Sequence, residues 1–426
     1  MVQTRRSARR DLQPAIEHQR QYFLRLPPEL RRMILECFNS RGDRRWLAKI
    51  ATVCKAFHDD VEAVLYRDVS FISRKKILSF RHALCKRPRR ATFVREFSIL
   101  LVKATKSIRK PLKSVFRLLT NLISLEIFVP HPALFELLLD VPFQLRYFYV
   151  FALDYPPCLE DILARQPSLV FFEQGFNVTT GDRATPRNIL RKDILPNLRS
   201  LAIELSHLSR PFIKHPLPSL TRLSLGRAQH EDIAQVLSLF GNNLVSLQVV
   251  RVIDNTCTCS CYWPTSIINT AHLPRLLHIE VKDSRSHEYR GLQLHSDMDK
   301  VGVSHLRTAC PELRKFVWGT DTTTLRRLEK SLGRQRKDWT VMSEYSRILF
   351  SVFPNLARLC VTDIYSMGRG PRREPHNNVY MRHGAKNGQV ARVDEHRIVD
   401  VANEWCTVPD GLGTYDECSN SMPDSE

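Results

Sequence analysis

Three cysteines alternate in the stretch CTCSC, at Cys257, Cys259 and Cys261, and closely spaced thiols are able to hold a metal ion. Three thiolates and one further ligand would suit Zn²⁺, but zinc-binding cysteines usually stand in C-x₂-C pairs. In an extended segment Cys259 would also point away from the other two, because successive side chains alternate in direction. The pattern therefore favours a loop insertion with free thiols over a metal site, and we expect no cofactor.

A second group of chemically distinctive side chains is basic. Between Ser73 and Arg117, 15 Lys or Arg residues stand against one acid, Glu96. The densest part, RKKILSFRHALCKRPRR, contains Arg74, Lys75, Lys76, Arg81, Lys86, Arg87, Arg89 and Arg90. Arginine clusters suit bidentate recognition of phosphate or carboxylate, so the block predicts an acidic or phosphorylated protein partner. The simplest alternative is a helix with a basic solvent-facing side.

Nucleic acid is a weaker prediction for the same block. Proteins that bind single strands stack bases on aromatic side chains, and the stacking candidates at the densest part of the block are Phe80, within it, and Phe93, just after it. Catalytic motifs are also missing: the sequence has no G-x-x-x-x-G-K-[ST], no G-x-G-x-x-G and no H-E-x-x-H. Nothing in the sequence sets a nucleophile beside a base, so we expect a binding protein and not an enzyme.

The composition limits the class of protein. The chain has 426 residues, 43% of them hydrophobic, and a formal net charge of +20, which allows two or three domains or one repeat array and favours acidic partners. The first ten residues lack an apolar signal core, and the longest uncharged run, residues 233–250, contains Gln, Gly and Asn, so we expect no membrane association. The 11 cysteines are mostly isolated, which suits the cytosol or nucleus. Residues 1–21 are expected to be a disordered basic tail.

The stretch LRLPPELRRMILECF, residues 24–38, predicts an amphipathic helix with two prolines at its start. The segment WLAKIATVCKAFHDDVEAVLYRDVSF follows with the same periodicity, and His58-Asp59-Asp60 is a candidate break between two helices. A helical unit of this size rarely buries a sufficient core. We therefore expect it to pack against a partner or against the next domain.

The pattern L-P-x-E-L, followed by a second helix with V-C-K-x-F and a closing L-Y-R, resembles an F-box over residues 22–70. The resemblance implies three helices whose exposed apolar face docks on the Skp adaptor of Skp–cullin–F-box ubiquitin ligases. The matching residues, which it would make adaptor-binding, are Leu26, Pro27, Glu29, Leu30, Ile34, Leu35, Val53, Cys54, Phe57, Leu65 and Tyr66. Many F-boxes carry tryptophan where this chain has Phe57. The alternative is an ordinary three-helix cap with an internal apolar stripe.

A degenerate repeat fills residues 71–365. Apolar residues recur at i, i+3 and i+5, mostly after a turn such as Pro-Asn or Pro-Ser, with first positions at Val94, Leu122, Leu145, Leu169, Leu198, Leu220, Leu244, Leu276, Leu313 and Leu356. A strand and a helix every 22 to 29 residues is typical of a leucine-rich-repeat solenoid, an α/β fold. We expect parallel strands with helices on the convex side. The repeat at Leu169 departs from the pattern, because Gln174 occupies its third apolar position.

The combination resembles the F-box/leucine-rich-repeat proteins, including irregular fungal ones, which act as substrate-recognition subunits of ubiquitin ligases. The resemblance implies that the solenoid holds a target protein through residues i+2 and i+4 of each repeat. These include Glu126, Tyr147, Tyr149, Glu173, Arg222, Gln248, His278, Glu280, Lys315 and Arg358. The alternative is a solvated sheet face or a repeat scaffold that recruits no ligase. Residues 366–426 are expected to be a linker and tail with a short helix in VDEHRIVDVANEW.

Overall fold

The chain is an α/β protein with two compact units. The computed structural model describes residues 25–38, 44–53, 55–101, 106–128, 132–152, 158–176, 194–204, 216–228, 230–253, 272–285, 300–320, 349–353, 355–356, 358–363, 377–382 and 390–393. Unit 1 comprises Met1–Ser200 and Ser209–Leu217, and unit 2 comprises Leu201–Leu208 and Pro218–Glu426.

Unit 1 begins with three helices and continues with alternating helices and strands. Its helices are α1 (Pro28–Glu36), α2 (Arg44–Val53), α3 (Lys55–Arg67), α4 (Arg74–Lys86), α5 (Arg109–Leu118) and α6 (Leu159–Ala164). Its strands are β1 (Asp68–Phe71), β2 (Glu96–Leu100), β3 (Ser124–Phe128), β4 (Tyr147–Ala152) and β5 (Phe171–Phe176), and β6 (Ser200–Glu204) spans the division between the units. Short 3₁₀ segments include Pro88–Phe93 and Pro132–Leu138.

Unit 2 continues the same alternation. Its helices are α7 (His230–Phe240) and α8 (Lys300–Ala309). Its strands are β7 (Arg222–Ala228), β8 (Ser246–Ile253), β9 (His278–Arg285), β10 (Lys315–Thr320), β11 (Arg358–Asp363), β12 (Asn377–Arg382) and β13 (Val390–Val393). Within the described residues of each unit, strands adjacent in the chain are neighbours in the sheet.

The strands pair in parallel, as the sequence predicts. In unit 1, β1 to β5 are parallel neighbours, and the register places Glu96, Ser124, Tyr147 and Phe171 side by side. In unit 2, β7 to β11 are parallel, whereas β12 pairs antiparallel with β11 and β13 antiparallel with β12. Parallel neighbours in chain order need a crossover connection between strands. The intervening helices and 3₁₀ turns supply that connection.

The predicted apolar spacing coincides with the interior of the sheet. All ten first-position residues, from Val94 to Leu356, are buried, and so are all ten residues at i+3. The two strand positions i+3 and i+5 point to one side because side chains alternate along a strand. Gln174 is buried at its i+5 position, and its Oε1 has no hydrogen-bond partner. A polar atom in that position reduces the stability of β5.

The helices of unit 1 pack on the same side of the strands through a row of phenylalanine rings. The ring of Phe80, on α4, lies 4.9 Å from Phe71 and 6.0 Å from Phe97, which belong to β1 and β2. Phe97 contacts Phe116 of α5 at 5.8 Å, and Phe116 contacts Phe143 at 6.2 Å. The opposite side of β1–β5 carries exposed or half-buried side chains on every strand, and we call it the open face of unit 1. At its β1 end, Asp68 pairs with Arg44 of α2 at 2.7 Å.

Three sequence predictions differ from the structure at element boundaries. His58-Asp59-Asp60 lies inside α3 and is not a break, since α2 ends at Val53 and α3 begins at Lys55. The segment assigned to the F-box already contains most of β1, which pairs with β2. The segment assigned to a linker and tail contributes β12 and β13. Strand pairing depends on neighbours distant in the chain, which local periodicity does not reveal.

Several predictions fall outside the described residues. They are the basic tail 1–21, the CTCSC cysteines Cys257, Cys259 and Cys261, and all of the proposed terminal helix except its first residue, which ends β13. Among the described helices, none is long and apolar enough to cross a membrane.

Replacing Gly241 with alanine is expected to destabilise unit 2. A Cβ atom at this position would lie 2.7 Å from the backbone oxygen of His272 and 2.8 Å from the side chain of Leu273. Because a backbone atom cannot move aside as a side chain can, we expect a loss of about 1–3 kcal/mol in the free energy of unfolding. Asn242→Ala, in the same 3₁₀ turn but exposed, serves as the control in thermal melts. Equal melting temperatures for both variants would contradict this account.

Candidate functional site

Helix α1 begins where its prolines require. Pro27 occupies the N-cap and Pro28 the first helical position, where the missing N–H has no intrahelical partner to lose. The amide of Arg31 donates to the carbonyl oxygen of Pro27 at 3.1 Å, which closes the first turn. Glu29 lies in that turn and interacts favourably with the positive end of the helix dipole. The predicted helix is therefore present, and it ends at Glu36.

The apolar side of α1 faces solvent. Leu30, Met33 and Ile34 are 45%, 61% and 39% exposed, and we call these three residues the α1 stripe. Their spacing of i, i+3 and i+4 places them on one side of the helix. Isolated exposed apolar residues are normal, but a contiguous group marks an interaction surface. Within the described chain, the stripe is available to a partner.

A separate cluster holds the three helices together. Leu35, Leu47, Val61 and Val64 are buried against one another, and Ile50, Ala51 and Leu65 pack around them. Leu35 was predicted to belong to the docking face, but it is 3% exposed and lies in this core. Leu35 follows Ile34 in the sequence, and successive side chains of an α-helix point in directions about 100° apart around the axis. Leu35 therefore supports the stripe from beneath.

Ion pairs fix α1 to α3. Buried Asp60 accepts from Nε of Arg31 at 2.7 Å and from Nε of Arg32 at 3.2 Å. At the other end of α1, Arg67 pairs with Glu36. Asp60 is therefore held inside α3 by partners on α1, which explains why this Asp does not end a helix here. Paired in this way, the two arginines hold the α1 helix at a fixed orientation.

The remaining adaptor-binding predictions fall into three groups. Leu26 is half-buried, and Pro27 and Glu29 are exposed beside the stripe. Leu65 packs on the core cluster, and Tyr66 lies between Phe80, at 6.1 Å, and the guanidinium of Arg90, at 5.1 Å. Leu65 and Tyr66 therefore face the interior of unit 1 and not the stripe. Cys54 and the side chains of Val53 and Phe57 lie outside the described residues.

The sequence assignment of adaptor-binding residues omitted three exposed apolar side chains. Met33 belongs to the stripe, Phe38 follows α1 and is exposed, and Trp46 on α2 is exposed with the amine of Lys49 over its ring at 5.7 Å. The signal was present in the helical periodicity. That periodicity identifies an apolar side but not whether the side is covered.

Helix α4 is a basic amphipathic helix, the simplest interpretation of the block. Ile77, Phe80 and Leu84 are buried, whereas the basic residues of the helix are exposed. Arg81 contacts Ser114 Oγ of α5 at 3.3 Å. Among the described residues, no carboxylate lies within salt-bridge distance of Arg74, Lys75, Lys76, Arg81 or Lys86. This side of α4 remains a candidate surface for an acidic partner.

The arginines at the end of the densest part of the basic block are paired with carboxylates of the protein. Arg87 and Arg90 both pair with Glu62, and Arg89 pairs with Asp59 at 2.9 Å. These three arginines therefore tie the turn after α4 to α3. The sequence grouped them with α4 because their acidic partners lie about 30 residues earlier in the chain.

His58, Asp59 and Glu62 also bring three potential metal ligands within 4.8 Å of one another. Each carboxylate is already paired with an arginine, and Arg87 Nη1 lies 3.4 Å from His58 Nε2. A divalent cation would have to enter beside those guanidinium groups. This repulsion argues against a metal site.

The open face of unit 1 carries four of the predicted target-facing residues, Glu126, Tyr147, Tyr149 and Glu173. Glu126 is half-buried and accepts from Ser98 Oγ at 2.7 Å. The Tyr149 ring lies 4.8 Å from Phe171. Tyr147 is buried, so it contributes little accessible surface. Burial, with a smaller contribution from the charge of Glu126, raises the pKa of Glu173 to about 7.

The corresponding positions of unit 2 form a hydrogen-bonded row. Ser224 Oγ donates to Gln248 Oε1 at 2.7 Å, Gln248 Nε2 donates to Glu280 Oε2 at 2.8 Å, and Lys282 pairs with Glu280 at 3.1 Å. His278 is exposed, and Arg222 and Lys315 are half-buried. The Arg358 side chain lies outside the described residues. The two units therefore differ: unit 2 presents basic side chains beside this row.

Comparison with known proteins gives no identification. No protein-family model matches the chain, and no curated protein matches it in sequence. The functional argument therefore depends on the residues and geometry above.

Proposed function

We propose that this chain is the substrate-recognition subunit of a Skp–cullin–F-box ubiquitin ligase. The observation that carries the proposal is the exposed α1 stripe on a three-helix unit whose own core is formed by other residues. An apolar side that the protein does not cover is what docking on an adaptor requires. The resemblance of residues 22–70 to an F-box indicates that this adaptor is a Skp protein. The chain would then be joined to the cullin through the adaptor.

The strand array supports the second half of the proposal. A leucine-rich-repeat solenoid needs parallel strands with a repeated buried triplet, and both features are present. We propose that these repeats hold the target protein and that α3 and its arginine pairs join the docking helices to the first repeats. Other subunits of the ligase would transfer ubiquitin, so this chain needs no catalytic residues. The cytosol or nucleus is the proposed location.

Co-purification with a Skp adaptor tests this function. Leu30→Ala/Ile34→Ala should weaken capture about 100-fold, because two apolar anchors at an interface each contribute more than 1 kcal/mol. Since both side chains are exposed, the variant should keep the melting temperature of the wild type. Leu78→Ala, which removes an exposed leucine from α4, is the matched control and should retain capture. No capture by the wild type would overturn the proposal.

A second candidate function is a repeat scaffold that binds acidic partners or nucleic acid without recruiting a ligase. The exposed basic side of α4 favours it. Binding to generic duplex DNA that falls steeply with salt, together with no adaptor capture, would support this candidate. Replacing Lys75 and Lys76 with alanine should then lower the salt dependence.

A further inference from the structure

The open face of unit 1 contains an apolar row that crosses three strands. Leu100, Phe128 and Phe151 are direct neighbours in the parallel register of β2, β3 and β4. Leu100 and Phe128 are exposed, and the rings of Phe128 and Phe151 lie 5.5 Å apart. Next in the row is Gly175 of β5, where a Cβ atom would lie 2.6 Å from the Phe151 ring. The absence of a side chain at Gly175 therefore leaves room for the Phe151 ring.

An acidic and aromatic row runs beside the apolar one. Ser98, Glu126, Tyr149 and Glu173 are neighbours in the same register, two residues before the apolar row on each strand. Glu126 and Glu173 are close enough for the charge of one to raise the pKa of the other. Both carboxylates therefore lie on a half-buried surface where an added positive charge would relieve their repulsion.

The charge of this face is opposite to that of the chain. Outward positions of strands β1–β5 include the carboxylates Asp68, Glu96, Glu126 and Glu173, and none of the described outward positions holds Lys, Arg or His. Two basic side chains border the face, because Arg44 pairs with Asp68 at 2.7 Å and the Arg146 guanidinium lies 5.9 Å from the Tyr147 ring. The acidic character therefore centres on Glu126 and Glu173. The whole chain has 64 Lys and Arg against 44 Asp and Glu. The face is therefore a local acidic and aromatic surface in a basic protein.

We propose that the open face of unit 1 binds an extended segment of a partner protein that carries Lys or Arg two residues from a large apolar side chain. The acidic row attracts the cation, and the apolar row packs on the neighbouring side chain. The two rows are two residues apart on every strand, which is also the spacing of side chains that share one side of an extended peptide. A peptide lying along the strands would thus match both rows.

This inference rests on the proposed function in one respect only: the bound segment is taken to belong to the target of the ligase. It also changes the class of target that the sequence suggested. The basic block predicted an acidic or phosphorylated segment, whereas the sheet face fits a basic and apolar one. A phosphate placed beside Glu126 and Glu173 would be repelled.

Fluorescence anisotropy with the full-length chain tests the inference. The probe is a labelled peptide of Arg-Ser-Leu-Ser repeated three times, and the control peptides replace Arg with Glu or Leu with Ser. We expect the first peptide to bind at least about tenfold more tightly than either control, because each control removes one of the two complementary contacts. Equal binding of the Arg and Glu peptides, or no binding of the Arg peptide, would overturn the inference.

Variants locate the binding on the protein. Glu126→Gln/Glu173→Gln and Phe128→Ser should each weaken binding about tenfold or more. The matched controls, Glu136→Gln and Leu78→Ser, lie on exposed helical segments and should leave binding unchanged. Unchanged binding by both test variants would place the peptide elsewhere and overturn the inference.

Adaptor capture, measured on the same variants, separates this inference from the proposed function. If the protein captures the adaptor but does not bind the Arg peptide, the proposed class of target is rejected and the ligase role is kept. Peptide binding by a protein that captures no adaptor rejects the ligase role and keeps the binding face.

Discussion

Replacing Asp283 with leucine is expected to lower the free energy of unfolding of unit 2 by about 3–5 kcal/mol, because it removes the carboxylate that pairs with the buried guanidinium of Arg251. Asp283 Oδ1 accepts from Arg251 Nε at 2.5 Å, and its Oδ2 accepts from Trp318 Nε1 at 2.8 Å. All three side chains are buried on the core side of β8, β9 and β10. Hydrogen exchange of amides in these strands measures the change within unit 2.

The double variant Arg251→Met/Asp283→Leu distinguishes charge from packing. If the cost of Asp283→Leu comes from breaking the buried ion pair, removing Arg251 as well should restore most of the lost protection, because an apolar pair has no charge to desolvate. If Asp283→Leu were destabilising only because the packing of the side chains is disturbed, the double variant would be less stable than Asp283→Leu. The change Trp318→Phe removes the indole hydrogen bond and also part of a fully buried ring, so a loss of more than about 1 kcal/mol is expected for it.

The repeat could be predicted from the sequence because one effect, the burial of an apolar side chain, determines the residue type at each repeat position. Leu220, Leu244 and Leu276 recur at a fixed distance from their strands, and burial of apolar side chains is the largest favourable contribution to the fold. Spacing in the chain therefore converts directly into strand positions and register. The same reasoning failed to predict β12 and β13, whose antiparallel pairing depends on neighbours and not on a repeated triplet.

The candidate site was less accessible to sequence reasoning. Periodicity gave the apolar side of α1, but Leu35 and Ile34 look alike in the sequence and only packing assigns one to the core and the other to solvent. The charge pairs were hidden for a similar reason. Arg87 and Arg90 appear as part of a basic block until Glu62 is placed beside them. The rows across the strands were hidden as well, because they bring together residues that are distant in the chain. Glu126 and Glu173, for example, are 47 positions apart.

Replacing Glu173 with glutamine is expected to stabilise unit 1 at pH 8 and to have no effect near pH 4. Burial, with a contribution from the charge of Glu126, raises the pKa of Glu173 from 4.5 to about 7 in the folded protein. Below pH 4.5 both the folded and the unfolded chain hold the proton. Between these values the unfolded chain is ionised while the folded chain keeps its proton, so the free energy of unfolding falls as pH rises.

By pH 8 this loss is nearly complete and amounts to about 3 kcal/mol, which the uncharged glutamine avoids. Thermal melts of the wild type and Glu173→Gln at both pH values check this difference. Glu126→Gln should give a smaller gain in stability at pH 8, because it removes the lesser of the two causes and leaves burial in place. Glu136→Gln, an exposed carboxylate paired with Arg109, is the control for a general loss of charge. A stability difference between Glu173→Gln and the wild type that stayed constant from pH 4 to pH 8 would show that the carboxylate of Glu173 ionises normally, and the acidic row would then hold two ordinary surface carboxylates.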